Sequence, residues 1–297
     1  MHVHRKTINA VVGITGIGLH SGIYTRLELK PAHAGSGITF VRADLHNMRI
    51  PALQASTTAL EYATTVGRDD VAVGTVEHLL SAVVASGITD LDIHVDGPEV
   101  PIVDGSALPF IHLIDAAGVR RMNEEIGVLR IDEPIEVVDG DKSIRMVPSR
   151  KLILRYKIDF PHPAIGRQSC QFELDHDSFT RKIAPARTFG FVREVEKLRA
   201  AGLARGGSVE NCIALDDQRV INGPLRFRDE FVRHKILDLL GDLALVGRPI
   251  VGEITANRAG HALHSRFVAR VLEASRNQLR QEAGEMATPP PAFGSFA

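Results

Sequence analysis

Phe231-Val232-Arg233-His234-Lys235-Ile236-Leu237-Asp238-Leu239-Leu240-Gly241-Asp242 sets one histidine and two aspartates at successive steps of four within a strongly apolar run. At about 100° per residue these three side chains fall near 0°, 40° and 80° on a helical wheel, with Lys235 near 100°. Phe231, Val232, Ile236, Leu237, Leu239, Leu240, Leu243 and Ala244 fill most of the opposite arc. The spacing therefore predicts a largely buried helix over about 229–246 with one narrow polar stripe. Charged groups on such a helix need a cation or hydrogen-bond partners to offset desolvation, and His at i with Asp at i+4 brings two ligand atoms toward one metal. A solvated face carrying an incidental ion pair fits the same spacing, so a second signal is needed.

A chain of 297 residues has room for about two domains, and 44% hydrophobic content supplies a core for each. Lys plus Arg number 35 against 36 Asp plus Glu, which provides no basic field for nucleic acid. Cys170 and Cys212 are too few and too isolated for a disulfide framework or a cysteine zinc site; they fit a reducing, cytoplasmic setting and leave any metal to His and carboxylates. His2, His4, Arg5 and Lys6 are followed by Asn9 and repeated glycines, so no signal peptide is expected. No run reaches the roughly 18 apolar residues of a membrane span, and no stable membrane insertion is expected.

Residues 23–30 and 91–96 alternate apolar with polar, as half-buried strands do. A helix is predicted from about Thr75, as N-cap, to Ser86 before Gly87, and another over Phe110 to Ala117. The polar stretch Arg120 to Glu125 reads as the domain boundary, giving domains at 1–125 and 126–281. Beyond it, a strand at Glu136 runs into a Gly140-Asp141 turn, Leu152 to Ile158 alternates, and a helix follows at about 192–201. Each half has a helix with an early histidine, then a glycine and a strand (His78, Gly87, Leu91 to Val95; His234, Gly247, Ile250 to Thr255), a pattern that fits duplication or coincidence. Residues 282–297, with Pro289-Pro290-Pro291, read as a loose tail.

The second signal is Thr75-Val76-Glu77-His78, which places Glu77 and His78 in the first turn of a helix. The positive end of the helix dipole favours an ionised glutamate and a neutral imidazole there, suiting a carboxylate base beside a metal-ready histidine. A dipole-complementing Glu77 and a surface His78 fit as well. His78, His234 and Asp238 together would make a two-His, one-carboxylate set with a fourth position for water, the pattern of catalytic zinc. His261, in Gly260-His261-Ala262-Leu263, suits proton transfer or a structural role, and Thr188, between Arg187 and Phe189, suits an oxyanion donor or core packing.

These segments, with Gly18-Leu19-His20-Ser21-Gly22, Pro101-Ile102-Val103-Asp104-Gly105-Ser106 and Ala186-Arg187-Thr188-Phe189-Gly190-Phe191, resemble the UDP-3-O-acyl-N-acetylglucosamine deacetylases, zinc amidases of lipid A synthesis. The resemblance runs in order from about residue 3 to about 280. It implies an α+β fold of two domains, each a two-layer sandwich of β-sheet and helices, with the site between them and an inserted element in each. It implies Zn2+ held by His78, His234 and Asp238, with Glu77 as general base and His261 as general acid. Asp242 would orient and charge His261, while Thr188 and Lys235 would stabilise the oxyanion. The acyl chain of the UDP-linked sugar would run past Phe189 and Phe191 into the element carrying Val195, Leu198, Leu203, Ala204 and Ser208. Lys142, Phe160, Arg258 and His20 would hold nucleotide and sugar. Tyr62-Ala63-Thr64-Thr65 stands where some members carry a cysteine, so thiol-dependent behaviour does not transfer. A monomer is expected. The rival readings are a structural metal in a regulatory module, or a zinc peptidase or other sugar amidase; the absence of His-Glu-x-x-His counts against the commonest peptidase arrangement.

Overall fold

The computed structural model describes residues 1–276. Its first half contains β1 (His2–Ile8), β2 (Val12–Ile17), β3 (Tyr24–Pro31), β4 (Ile38–Arg42), β5 (Met48–Pro51), β6 (Thr57–Ala59), β7 (Thr65–Arg68) and β8 (Val71–Val73). α1 (Glu77–Ala85), β9 (Leu91–Val95), α2 (Leu108–Ala117) and β10 (Val119–Gly127) complete it. The second half runs β11 (Ile135–Asp139), β12 (Lys142–Val147), β13 (Leu152–Phe160), β14 (Gly166–Glu173), α3 (His176–Lys182), β15 (Phe189–Phe191) and α4 (Val192–Ala200). β16 (Ile213–Leu215), α5 (Glu230–Leu243), β17 (Gly252–Asn257) and α6 (His261–Ala274) follow.

The alternation in β3 buries Thr25, Leu27 and Leu29 completely, as a strand with one face on a core requires. The likeness between the halves extends to their whole topology. One five-stranded sheet has the order β2-β3-β9-β4-β5 and the other β11-β12-β17-β13-β14. In each, the strand that follows the histidine-bearing helix enters the centre of the sheet, antiparallel to one neighbour and parallel to the other. Helices cover one face of each sheet: α5 packs on β13 and β14, α6 on β11 and β12, and α2 against β2. The two layers of helices meet where α1 packs on α5. Each half carries an insertion between its fourth sheet strand and its helix: the three-stranded sheet β6-β7-β8 in the first, and the parallel pair β15-β16 with α4 in the second. The fold is thus α+β, with two sheet-and-helix units.

Three local features differ from the sequence expectations. Val76, not Thr75, precedes α1; Thr75 has φ 54° and gives its hydroxyl to Glu99 at 2.6 Å. Backbone bonds of Gly74 with Pro98 and Val100 pin the chain just before Thr75, so it must turn sharply there, and tertiary pairing overrides the cap. The polar stretch Arg120 to Glu125 is part of β10, paired with β1, so position 125/126 falls within a strand. The helix over 229–246 is α-helical to Leu243 and finishes in a 3-10 turn over Ala244–Val246, closed by Gly247. The tail expected at 282–297 lies outside the described residues. Among those that are described, no helix is long and apolar enough to cross a membrane.

Candidate metal centre and active site

The polar stripe of α5 is not solvated: His234, Asp238 and Asp242 are each at most 2% exposed. It faces the start of α1, where His78 is 3% exposed. His234 Nδ1 hydrogen-bonds Ala186 O at 3.0 Å, which turns Nε2 to within 3.3 Å of Asp238 Oδ1. His78 Nε2 lies 3.7 Å from the same oxygen. These separations resemble the edges of a tetrahedron around an ion with ligand bonds of about 2.0–2.1 Å, which are about 3.4 Å long. Asp238 Oδ1 is buried and has no hydrogen-bond donor, whereas Oδ2 takes one from Lys235 Nζ at 2.8 Å. An uncompensated buried carboxylate oxygen facing two imidazole nitrogens is what a cation site requires. Burial and the neighbouring His234 push the His78 pKa down to about 3, and burial lowers His234, so both rings are neutral and able to coordinate. Burial opposes the charge on Asp238, but the Lys235 ammonium and the protonated His261 outweigh it and hold the carboxyl below its ordinary range. The three residues therefore fit a divalent metal.

Two more titratable groups, Glu77 and His261, adjoin this set. Glu77 Oε1 lies 3.9 Å from His261 Nε2. Burial pushes the Glu77 carboxyl up to about 8, against the opposing influence of His261. A cation between the three ligands would favour its ionised form. Burial alone would lower His261, but the charge and hydrogen bond of Asp242, helped by Glu77 and Asp238, push its pKa up to about 9. Asp242 Oδ2 accepts from His261 Nδ1 at 2.8 Å, leaving Nε2 on the cavity side.

A cavity of about 430 Å³ joins these groups to the second insertion. His20, Glu77, His78, Phe160, Thr188, Phe189, Phe191, Val195, Leu198, Ala204, Ser208, His234, Lys235, Asp238 and His261 all line it. Phe160 packs edge-on against Phe189 at 5.6 Å, and the Lys235 ammonium sits 5.4 Å from the Phe189 ring centre. His20 presents a buried Nε2 with no partner. Asp242 stands behind His261 rather than at the wall. Leu203 is half-buried but does not line the cavity. Lys142 and Arg258 also lie outside it, grouped at the β11–β12 turn, where Arg258 Nη1 pairs with Asp141 at 2.8 Å.

Several supporting residues escaped the sequence reading. Thr64 donates its backbone N–H to Glu77 Oε2 at 3.1 Å and its hydroxyl to Asp242 Oδ1 at 2.6 Å, tying the two carboxylates together. Glu99 accepts from the backbone of His20 and Ser21 as well as from Thr75, fixing the His20 turn to the entry of α1. Glu230, wholly buried, accepts from the Arg187 backbone and guanidinium and from Arg226 N, and so holds the segment that presents Ala186 O and Thr188. His264 Nδ1 donates to Asp242 Oδ2 at 2.7 Å. Glu99, beside the Pro101 to Ser106 motif, His264, three residues after His261, and Thr64, within the Tyr62 to Thr65 stretch, carry a sequence signal in their position; Glu230, next to Arg228 and Asp229, carries none.

Among protein families, residues 5–273 match the one described as LpxC: UDP-3-O-acyl N-acetylglycosamine deacetylase. A protein of Myxococcus xanthus (strain DK1622) named UDP-3-O-acyl-N-acetylglucosamine deacetylase is 49% identical over 271 residues, covering 91% of this chain and 86% of the relative. Proteins of the same name from Anaeromyxobacter sp. (strain Fw109-5) and Syntrophotalea carbinolica are 45% and 41% identical, spanning 91% and 96% of this chain and 88% and 93% of their own. With a match across nearly all described residues and relatives at these identities, the chain belongs to the LpxC family of UDP-3-O-acyl N-acetylglycosamine deacetylases.

Proposed function

We propose that the protein is a zinc-dependent hydrolase that removes acetate from UDP-3-O-[(3R)-3-hydroxyacyl]-N-acetylglucosamine, the committed step of lipid A biosynthesis, and that it works in the cytoplasm as a monomer. One observation carries the reading: a buried two-His, one-carboxylate set adjoins an acid–base pair, Glu77 and His261, at the wall of a largely apolar cavity. His78, His234 and Asp238 would hold the metal. Bound there, zinc supplies Lewis acidity, activating water and polarising the amide carbonyl.

The chain's own groups divide the remaining work. Glu77, steadied by Thr64 N–H, accepts the proton of the attacking water. Lys235 and Thr188 line the cavity, and their ammonium and hydroxyl would meet the negative charge that develops on the carbonyl oxygen. His261, kept protonated by Asp242, gives its Nε2 proton to the departing amine, and the products are acetate and the free 2-amino sugar. Phe191, Val195, Leu198 and Ala204 offer apolar surface to the acyl chain. His20 with its unpartnered Nε2, Phe160, Lys142 and Arg258 are assigned to the sugar and nucleotide. A purely structural metal is disfavoured because, among the described residues, the set offers three protein ligands rather than four. The test is acetate release from the UDP-linked, acylated sugar, with a peptide and a sugar lacking UDP as comparators. Acetate from the first substrate alone, abolished by a chelator, is the expected result; peptide cleavage or no acetate would overturn the assignment.

A further inference from the structure

His264 is fully buried one helical turn after His261, and the proposed reaction assigns it nothing. Its Nδ1 faces Asp242 Oδ2 at 2.7 Å, and because that oxygen belongs to a carboxylate, Nδ1 must carry the proton. The same Oδ2 accepts from His261 at 2.8 Å, so the two imidazoles share one acceptor atom. On its other side His264 Nε2 lies 3.0 Å from the hydroxyl of Tyr156, which is itself wholly buried. The Tyr156 hydroxyl has one proton and two acceptors within reach, that nitrogen and Ala259 O at 2.9 Å. Ala259 precedes His261 by two residues in a segment where Arg258 takes a φ of 52°, and α6 starts at His261 with no side-chain cap. Tyr156 and His264 therefore grip His261 twice, through the loop that delivers it and through the carboxylate that orients it.

We propose that His264 and Tyr156 are positioning residues for the proton donor: His264 divides the Asp242 carboxylate between two N–H donors, and Tyr156 anchors the Ala259 carbonyl, fixing the direction of His261 Nε2. This rests on the reading of His261 as general acid. Other groups face the His261–Asp242 pair: Glu77 and His78 from α1, His234 and Asp238 from α5, and His20 from the first half. The Thr64 hydroxyl, Tyr156 and His264 complete the surroundings. Of the three hydrogen bonds to Asp242 from Thr64, His261 and His264, loss of the last concentrates the carboxylate's charge on His261.

Two amide substitutions separate the contacts of His264. An asparagine can place an amide N–H near the position of Nδ1, whereas a glutamine reaches toward that of Nε2. In zinc-loaded enzyme, His264→Gln should raise the alkaline limb of the kcat profile by roughly half a pH unit, whereas His264→Asn should leave it in place. Side-chain NMR titration of His261 should follow the same order. Tyr156→Phe should lower kcat several-fold with KM unchanged, because the donor's aim matters in the transition state rather than in substrate binding. Thermal melting of each variant gives the folded fraction against which rates are normalised. An unmoved limb and an unmoved His261 titration in His264→Gln, or a Tyr156→Phe effect confined to melting temperature, would overturn the proposal. A His261→Gln enzyme that retains full turnover would instead remove the general-acid reading beneath it.

Discussion

Gly241→Ala tests the idea that the site is set by the distance between two helices. A Cβ at Gly241 would lie 2.0 Å from Glu77 O and 2.8 Å from Glu77 Cα, both backbone atoms that no rotamer change can move. A tolerable carbon–oxygen contact is about 3.3 Å, so α1 and α5 must separate by about 1.3 Å. Alanine gains about 1 kcal/mol of helix propensity over glycine, whereas overpacking of this kind costs about 1–3 kcal/mol or more, and the second effect wins. The displacement falls on the contact that sets His78 and Glu77 against His234 and Asp238. A misplacement of about 1 Å can cost on the order of a hundredfold in rate. We expect weaker zinc retention against a competing chelator, a lower melting temperature and turnover reduced by about two orders of magnitude. A folded Gly241→Ala protein with wild-type zinc affinity and turnover within twofold would refute this reasoning.

Asp242→Asn removes the charge that keeps His261 protonated up to about pH 9, so the alkaline limb of kcat should move down while zinc content stays full; a limb that stays or rises would break the partnership. Coupling with Glu77 means that the shift belongs to the pair and is read from the whole profile. Thr64→Val keeps the backbone bond to Glu77 but leaves Asp242 Oδ1 without its donor, and turnover should fall about tenfold with zinc binding unchanged. Removing the acyl group should lower kcat/KM steeply, since each buried methylene contributes about 0.8 kcal/mol, and Ser208→Trp should harm long-chain substrates more than short ones. Equal kcat/KM with and without the acyl group would end the passage assignment.

The α5 stripe was legible because an apolar run interrupted every fourth residue allows few folds, and the same periodicity placed α1. What a stripe cannot reveal is which surface it meets. The burial of His234, Asp238 and Asp242 depends on α1 arriving from more than a hundred residues away. Thr64 and Asp242 are separated by 178 residues, and no local pattern encodes their hydrogen bond. Thr75 shows the opposite failure: its capping chemistry is genuine, but the pairing of Gly74 with the segment around Glu99 redirects both its backbone and its hydroxyl. Arg120 to Glu125 read as a separator because most of β10 faces solvent and no apolar alternation marks it. The repeated helix, glycine and strand were visible in sequence, but the shared strand order that gives them meaning lies in the pairing of distant strands.

Titration of metal-stripped protein with zinc, with acetate release from UDP-3-O-acyl-N-acetylglucosamine measured at every step, tests the central claim most directly. With His78, His234 and Asp238 as one catalytic ligand set, the rate should start near zero, rise linearly and level off at about one equivalent. Glu77→Gln protein should bind that equivalent and release almost no acetate. Full activity in the stripped protein, or one tightly bound equivalent in wild-type protein with no acetate released, would contradict the account.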